Sequence, residues 1–522
     1  MERETVSGRE TILIPLALFG FGLLARFPNF GRSGLWMDEC ITVHRVHDLS
    51  TVFSQNDGSP WFYPLVVWCF TSTLGLNEVT LRLPSLLAGA ALGPVLFLIL
   101  RPYFSRATSL VPALLGVFSP FSLFYSQEAR VYSLAILLAA IWAGLLCRFL
   151  YPLHDTAPSS FQKVSFIFIS PALALCHHYC LFVGIAGLAV GGMRLYQEPR
   201  LRARVLKLLA VAYAITIALW LPSMFVYTLQ TTDQVLATQE NPYSPHQLNL
   251  DRATQHVFGS PLDSFINPDN AIFANRATIP AIVLGAAVLG LSLGLPVHRR
   301  EWFWGSMHLV CYLIALLVHA AVPNLTGSRY EAPFLSLALV SLGLALQWVA
   351  YRSVKLVLVS LLFLSQLIGC SYAWFNPMPK SCSRELAAYI ASKKAEIVIT
   401  TLPRGFDALY LMPTAWYLHE VHKLQTPIIE IPRFVPVSDG FLPPTDHYEM
   451  YQQLVSTPWN EVESKLTALL DRHKKVVLVG QRPEVERLVP VLNNYRIIDN
   501  TSFMSTMEGA TIVLVIGQKV AP

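Results

Sequence analysis

Two adjacent carboxylates, Asp38 and Glu39, stand in the heptapeptide GLWMDEC, shortly after the first long apolar segment of the chain. A carboxylate held beneath a membrane surface can accept the proton of an incoming hydroxyl or amine as that group attacks a substrate. The same pair could instead cap or begin a helix over 38–48, because negative charges near a helix N-terminus interact favourably with the helix dipole. The pattern leaves both interpretations open.

Further polar side chains that could contact a phosphate or a sugar occur in five short segments. They are Asp57 in DGSP; Arg82 in LRLP; Gln127, Glu128, Arg130 and Tyr132 in YSQEARVYS; His177, His178 and Tyr179 in HHY; and Arg329 and Tyr330 in GSRYEAP. Arginine can pair bidentately with a phosphate, either to stabilise it as a leaving group or to anchor a phospholipid-like donor. The three arginines are therefore candidate phosphate ligands.

Metal binding is less well supported by the sequence. Adjacent histidines rarely chelate one ion, so the HHY segment favours a polar turn. The eight cysteines have no CxxC spacing and lie mostly in apolar runs, which argues against a disulfide framework or a metal cluster. A divalent cation on Asp38, Glu39 and Glu128 stays open, as does a site in which the arginines make a metal unnecessary.

The composition indicates the kinds of domain in which these candidate residues lie. Of 522 residues, 53% are hydrophobic and 14% are charged, whereas a typical soluble protein has about 25% charged residues. Long apolar runs recur up to Phe375, but residues 376–522 contain 15 basic and 15 acidic side chains. This pattern excludes a single soluble α/β enzyme, a disordered chain and a nucleic-acid-binding protein. It predicts a polytopic α-helical membrane domain over 1–375 and a soluble domain over 376–522.

We expect about eleven transmembrane helices from the apolar runs, because a span needs roughly 17–25 apolar residues. The runs are Thr11–Phe27, 83–100, 108–124, 131–150, 164–176, 179–193, 205–226, 277–297, 302–322, 331–349 and 355–374, of which 164–176 and 179–193 are short. The first run lacks a small-residue cleavage site and is interpreted as a retained span.

The run Trp61–Leu76 determines the predicted sidedness. If it does not cross, the loops on the N-terminal side carry a net charge of +9 and those on the other side −4. Because Lys- and Arg-rich short loops stay in the cytoplasm, the N-terminus is then inside and the C-terminal domain outside. We therefore interpret 61–76 as an interfacial or re-entrant helix within a first outer loop, 28–82; a large outer loop covers 227–276. All the candidate residues then lie at the outer face.

Residues 376–522 alternate between helix-like and strand-like patterns. Helices are predicted over 384–394, 459–472 and 483–495, and strands over 397–402, 427–431, 475–480 and 511–517. This order predicts a small α/β domain. The segment KVVLVGQ has the single glycine of a strand–turn–helix, but the chain contains no GxxxxGK[ST] or GxGxxG motif, so a structural or acceptor-recruiting role is favoured over nucleotide binding.

The ordered motifs resemble those of the GT-C glycosyltransferases of the family-39-like group, which is related to protein O-mannosyltransferases and aminoarabinose transferases. The matching segments are LWMDE, SP before an aromatic-rich helix, LRLPS, SPFSLFYSQEARVYSL, HHY where the family often has THY, and RYEAP for its RYxxP. The resemblance covers the membrane region, about two thirds of the chain. The segment Asp57-Gly58-Ser59-Pro60 departs from the family's usual His-Pro-Pro.

The resemblance implies a polyprenyl- or dolichyl-phosphate-linked sugar as donor and an inverting single displacement at the outer face, as in a mannosyltransferase-like enzyme. Asp38 would be the general base, and Glu39 would support the acidic pocket or bind the acceptor. The phosphate would be bound by Arg82, Arg130 and Arg329, and donor or acceptor oriented by Gln127, Glu128, His178 and Tyr330. A lipid, a polysaccharide or a protein could be the acceptor, and the bilayer of a bacterial inner membrane is the expected location.

Two functions of other classes compete with a transferase. A transporter or flippase of lipid-linked sugars would be expected to place ionisable residues near the middle of the membrane, at broken helices. The ionisable residues singled out here occur in the predicted outer loops instead. A membrane-anchored binding protein would have the C-terminal domain as its functional part.

Overall fold

The computed structural model describes residues 10–53, 60–153, 158–239, 300–321, 332–375, 381–401, 411–423, 426–431, 435–436, 459–505 and 509–520. The predicted span 277–297 and Asp57, Arg329 and Tyr330 lie outside these residues. The described residues fall into two compact units, the first within 10–30, 60–229 and 300–375, and the second within 31–53, 230–239 and 381–520. Residues 31–53, which the sequence division placed with the membrane domain, are therefore part of the second unit.

The first unit is helical. Its helices are α1 (Glu10–Arg26), α4 (Phe62–Leu74), α5 (Glu78–Leu100), α6 (Arg106–Val117), α7 (Pro120–Ser126), α8 (Tyr132–Leu150), α9 (Ser160–Ala174), α10 (Cys180–Gln197), α11 (Pro199–Gln239, continuing past this unit), α12 (Arg300–Ala321), α13 (Leu335–Ala345) and α14 (Arg352–Phe375). Helix α11 continues through 227–239, which the sequence assigned to the start of a large outer loop.

Among the described residues, five helices are long and apolar enough to cross a membrane, or six if the bent pair α6 and α7 counts as one span. The predicted count of about eleven transmembrane helices is therefore not confirmed by the length and composition of the described helices. Helix α4, within the predicted first outer loop, has 13 residues. A straight helix of that length rises about 20 Å, which is less than the roughly 30 Å of a bilayer core.

The predicted span 108–124 is broken in the structure. Helix α6 ends at Val117 and α7 begins at Pro120, with a bend of 47° between them. Proline has no N–H and disfavours helical geometry at the residue before it, while the Ser119 side chain accepts the Ser122 N–H and so caps α7. A helix break within an apolar segment requires other donors for the carbonyls that it releases.

Arg26, at the end of α1, supplies those donors. Its fully buried guanidinium donates to the carbonyls of Gly116 (3.2 Å) and Val117 (2.9 Å) and to Ser122 Oγ (2.9 Å). Gly89 of α5 packs against this side chain, because a Cβ there would lie 2.8 Å from Arg26 Nε and 2.6 Å from Ser126 Cβ. The helix break is thus a packed part of the fold, and it sets the direction of the segment that follows α7.

The second unit contains two short helices from the first loop, α2 (Met37–Arg45) and α3 (Leu49–Val52), together with the C-terminal domain. That domain has helices α15 (Ser383–Lys393), α16 (Leu411–Trp416), α17 (Trp459–Arg472) and α18 (Arg482–Leu492). Its strands are β1 (Ile397–Thr401), β2 (Ile428–Ile431), β3 (Val435–Pro436), β4 (Val476–Gln481), β5 (Tyr495–Ser505) and β6 (Gly509–Lys519).

The six strands form one sheet in the order β3-β2-β1-β4-β6-β5. Strand β1 pairs in parallel with β2 and β4, and the remaining pairs are antiparallel. Apolar side chains of β1, β4 and β6 pack against α17 and α18 to form the core. The predicted alternation of helices and strands is confirmed, but the predicted helix 483–495 ends at Leu492, and strands β3 and β5 were not predicted.

Candidate functional site

The acidic pair lies in the first turn of α2. Trp36 is the residue at the N-cap position, so Asp38 and Glu39 are the second and third helical residues. Glu39 Oε2 accepts the backbone N–H of Trp36 at 3.3 Å, which is half of a capping box. Both carboxylates are buried, with exposed fractions of 5% for Asp38 and 0% for Glu39. Both carboxylates therefore lie in the first turn of a helix, as one interpretation of the sequence expected, but the cap is Trp36 and the helix ends at Arg45 and not at residue 48.

This position suits negative charge. Buried carboxylates are unfavourable without compensation, and the positive end of a helix dipole together with nearby N–H groups provides it. Asp38 lies one residue closer to the helix N-terminus than Glu39, and its carbonyl accepts from Thr42 Oγ1 at 3.5 Å, within the same helix. The first turn of this nine-residue helix thus carries two buried carboxylates.

In the first unit, Arg82 lies in the early part of α5 and is buried. The helix begins at Asn77, whose side chain accepts the N–H groups of Val79 and Thr80. Ser85, three residues after Arg82 and hence on the same helix face, donates to the carbonyl of Arg130 at 2.9 Å. The structure therefore brings the backbone of Arg130 within one helical turn of Arg82.

The turn after α7 carries Gln127 and Glu128. The Gln127 amide nitrogen donates to the carbonyls of Arg26 (2.9 Å) and Pro28 (2.8 Å), at the end of α1. Both amide hydrogens of Gln127 are thus used within the fold, so a contact with substrate would fall to its oxygen. Glu128 is buried. The sequence predicted substrate binding for Gln127. Its amide also has a structural role, because it joins this turn to the end of α1.

Aromatic rings join this turn to the HHY segment. Tyr132 lies 4.7 Å from Tyr125 and 5.9 Å from His177, between ring centroids. His177 lies 5.7 Å from Tyr179, and its Nδ1 accepts the Tyr179 N–H at 3.2 Å. The structure thus brings together Tyr132, His177 and Tyr179, which come from two separate segments of the sequence, YSQEARVYS and HHY.

The two histidines are constrained in their tautomers. His177 Nδ1 accepts a backbone N–H, and His178 Nδ1 accepts the indole N–H of Trp220 at 3.3 Å. In the neutral form, each ring therefore carries its proton on Nε2 and presents a hydrogen-bond donor there. Among the described residues, no group of three or more His, Cys, Asp or Glu side chains could hold a metal ion.

The described candidates divide between the units. Asp38 and Glu39 belong to the second unit, and the candidates from Arg82 to Tyr179 belong to the first. Sequence reasoning missed Arg26, Ser85 and Trp220, which hydrogen-bond to the predicted residues Gln127, Arg130 and His178. Only Arg26 had a visible signal, because it is an arginine at the predicted outer end of a span, where basic residues are disfavoured.

Comparison with solved structures identifies the fold. The chain is similar to ArnT from Cupriavidus metallidurans in the apo state, with 12% identity, a TM-score of 0.54 and 97% of each chain covered. It is also similar to ArnT bound to undecaprenyl phosphate (13% identity, TM-score 0.46, 97% of each chain). A third similar structure is the oligosaccharyltransferase AglB from Archaeoglobus fulgidus with an inhibitory peptide and a dolichol-phosphate (10% identity, TM-score 0.48, 96% of this chain and 74% of that chain).

No protein-family model and no curated protein sequence matches the chain. The similarity to apo ArnT extends over 97% of both chains and shows that this chain shares the fold of ArnT, as the sequence resemblance implied.

Proposed function

We propose that the chain is a membrane glycosyltransferase that moves a sugar from a polyprenyl-phosphate donor, of the undecaprenyl or dolichyl type, to an acceptor hydroxyl or amine. The observation that carries the proposal is the ordered set of transferase-like motifs on a chain with the ArnT fold. ArnT has itself been crystallised with undecaprenyl phosphate. The proposed location is a bacterial inner membrane, with the site and the C-terminal domain outside the cytoplasm.

In the proposed reaction, Asp38 accepts the acceptor's proton while the acceptor oxygen or nitrogen attacks the anomeric carbon. A bond forms between the acceptor and that carbon as the bond from the carbon to the donor's phosphate oxygen breaks. The lipid phosphate leaves with the bonding electron pair, and the single displacement inverts the anomeric configuration. The burial of Asp38 in a helical first turn supports this role, because a base must be held in a fixed direction.

The donor's phosphate gains negative charge as it leaves, so it needs cations. Arg82 and Arg130 are proposed to bind it together with Arg329, and the proximity of Ser85 to Arg130 supports the pairing of the first two. Glu128, His177, His178 and Tyr179 are proposed to orient donor or acceptor, along with Tyr132, Asp57 and Tyr330. The Nε2–H groups of the two histidines suit sugar hydroxyls as acceptors.

The proposal is tested by transfer in vitro. Lipid-linked sugars that accumulate when the gene is lost identify the donor, and purified protein in detergent is then given a short-chain version of it. We expect the Asp38→Asn variant to lose about 10²–10⁴-fold in kcat, the usual contribution of a general base.

Asp48→Asn is the matched control. Asp48 lies in the same first-loop segment, its side chain is 50% exposed, and it caps α3 by accepting the Thr51 N–H. Asparagine is an equally good cap, so this variant should transfer at the wild-type rate. Substantial transfer by the Asp38→Asn variant would contradict the mechanism. Movement of the donor across vesicles without transfer would instead indicate a flippase.

A further inference from the structure

The backbone of Leu35, three residues before Asp38, is held on both sides by side chains of the C-terminal domain. Its N–H donates to Tyr417 Oη at 2.9 Å, and its carbonyl accepts from Ser383 Oγ at 2.5 Å. All three residues are buried. Buried backbone groups need partners, and here both partners come from residues more than 300 positions away in the sequence.

Two further contacts hold the same stretch. The Arg384 guanidinium donates to the carbonyls of Gly31 (3.2 Å) and Arg32. Gly34 lies so close to α15 that a Cβ would be 3.0 Å from the Arg384 nitrogen and 3.1 Å from Ser383 Oγ. Residues 31–35 are thus fixed against the first turn of α15 by backbone contacts as well as by side chains.

The fixed stretch leads directly into the acidic turn. Trp36 follows Leu35, occupies the N-cap position of α2, and donates its N–H to Glu39. Tyr417 itself begins a π-helical turn, Tyr417–Val421, that follows α16. Such turns occur frequently at functional sites because they redirect side chains. A continuous set of hydrogen bonds therefore connects the C-terminal domain to the helix start that carries Asp38.

We infer that the C-terminal domain positions the acidic turn, and that Tyr417 and Ser383 are positioning residues for Asp38. The catalytic part of this inference rests on the proposed function, whereas the structural part does not. A proton acceptor must be aligned with the attacking group, and a displacement of about 1 Å can reduce a rate by around 10²-fold. The domain thereby contributes to the rate without touching the substrate.

The test compares two tyrosines of the C-terminal domain that each lose a hydroxyl. Tyr417→Phe removes the acceptor of the Leu35 N–H, and Tyr389→Phe, the control, removes a hydroxyl that donates to Asp499 at 2.8 Å. In full-length purified protein we expect Tyr417→Phe to lower kcat by roughly 10- to 100-fold, with the KM for the lipid donor unchanged. Ser383→Ala should act in the same direction, and Tyr389→Phe should match the wild type.

A second readout does not depend on activity. Cys40 follows Glu39 in α2 and is buried, whereas Cys69 of α4 is exposed. We expect a thiol reagent, followed by mass spectrometric mapping, to label Cys40 several-fold faster in the Tyr417→Phe variant and Cys69 at an unchanged rate. If wild-type protein transfers no sugar but Cys40 labelling rises as expected, the proposed function fails and the positioning contact stands.

Three results would overturn the inference. One is unchanged kcat and unchanged Cys40 labelling in both the Tyr417→Phe and Ser383→Ala variants. Another is an equal loss of kcat in the Tyr389→Phe control, which would indicate a general effect on the domain. The third is a raised donor KM with an unchanged kcat, which would assign Tyr417 to donor binding.

Discussion

Asp38 and Glu39 are neighbours in the first turn of α2, and the Glu39 carboxylate takes part in the start of that helix. Glu39 accepts the Trp36 N–H and is fully buried, which accounts for its carboxylate as part of the helix start. Glu39 therefore has a defined part in holding the helix start, and the proposal assigns the reacting role to its neighbour Asp38.

Glu39 substitutions separate a structural carboxylate from a reacting one. Glu39→Gln keeps a side-chain oxygen that can accept the Trp36 N–H, whereas Glu39→Ala removes it, and loss of a capping contact costs about 0.5–2 kcal/mol. We therefore expect Glu39→Gln to retain most of the transfer activity and Glu39→Ala to lose much of it, with faster Cys40 labelling. If Glu39→Gln were as inactive as Asp38→Asn, the charge of Glu39 would be part of the chemistry.

Residue types and spacing predicted the candidate residues but not how the fold uses them. The sequence indicated that Glu39 could begin a helix, because that pattern is local. It could not indicate that the Gln127 amide donates to the carbonyls of Arg26 and Pro28, since those partners lie about a hundred residues earlier. A single sequence does not distinguish a polar side chain that binds a sugar from one that hydrogen-bonds to a distant backbone carbonyl.

At the scale of elements, the break between α6 and α7 shows how the first unit aims the segment YSQEARVYS. The apolar run 108–124 predicted one continuous span, because a hydropathy pattern contains no information about a bend in the helix. The determinants are Pro120, the Ser119 cap and Arg26, whose guanidinium donates to the carbonyls of Gly116 and Val117. Proline and serine were visible in the sequence, whereas the arginine's contact depends on the packing of α1.

Gly89 provides a direct test of that packing. An alanine Cβ there would meet Ser126 Cβ at 2.6 Å and Arg26 Nε at 2.8 Å, whereas a Cβ at Gly192 of α10 would have nothing within 4 Å. We expect Gly89→Ala to lose about 1–3 kcal/mol of stability through overpacking. This should lower the Tm of the detergent-purified protein by several degrees and reduce transfer. Gly192→Ala should not lower the Tm, and equal behaviour of the two variants would contradict the packing argument.

The C-terminal elements show where sequence patterns fail for a physical reason. Strands β1 and β4 were predicted because both are buried, apolar and β-branched. Strand β5 (YRIIDNTSFMS) was not, because it pairs only with β6 at the sheet edge and has several exposed side chains. Its first residue, Tyr495, was assigned to the preceding helix, which the structure ends at Leu492, before Asn493 and Asn494.

At the scale of the whole molecule, composition divided the chain at residue 375, whereas contacts group 31–53 with the C-terminal domain. The sequence could not indicate this grouping, because hydrogen bonds such as Leu35 to Tyr417 join residues 382 positions apart. A loop that carries the proposed base is thereby part of a unit whose sheet has its own core. Deletion of 381–520 would accordingly remove the support of the acidic turn as well as the domain.

The proposed outer location of the site depends on which loops of the chain lie outside the cytoplasm. The predicted topology follows from the net charges of the two sets of loops, +9 and −4, if 61–76 does not cross the membrane. The 13 residues of α4 are too few to cross as a straight helix.

We expect alkaline phosphatase, which folds only outside the cytoplasm, to be active when fused after Pro522 and inactive when fused after Pro152. Green fluorescent protein at the same positions should give the opposite pattern. Activity of the phosphatase after Pro152 would place the α8–α9 turn outside, reverse the charge argument and move the proposed site to the cytoplasmic face.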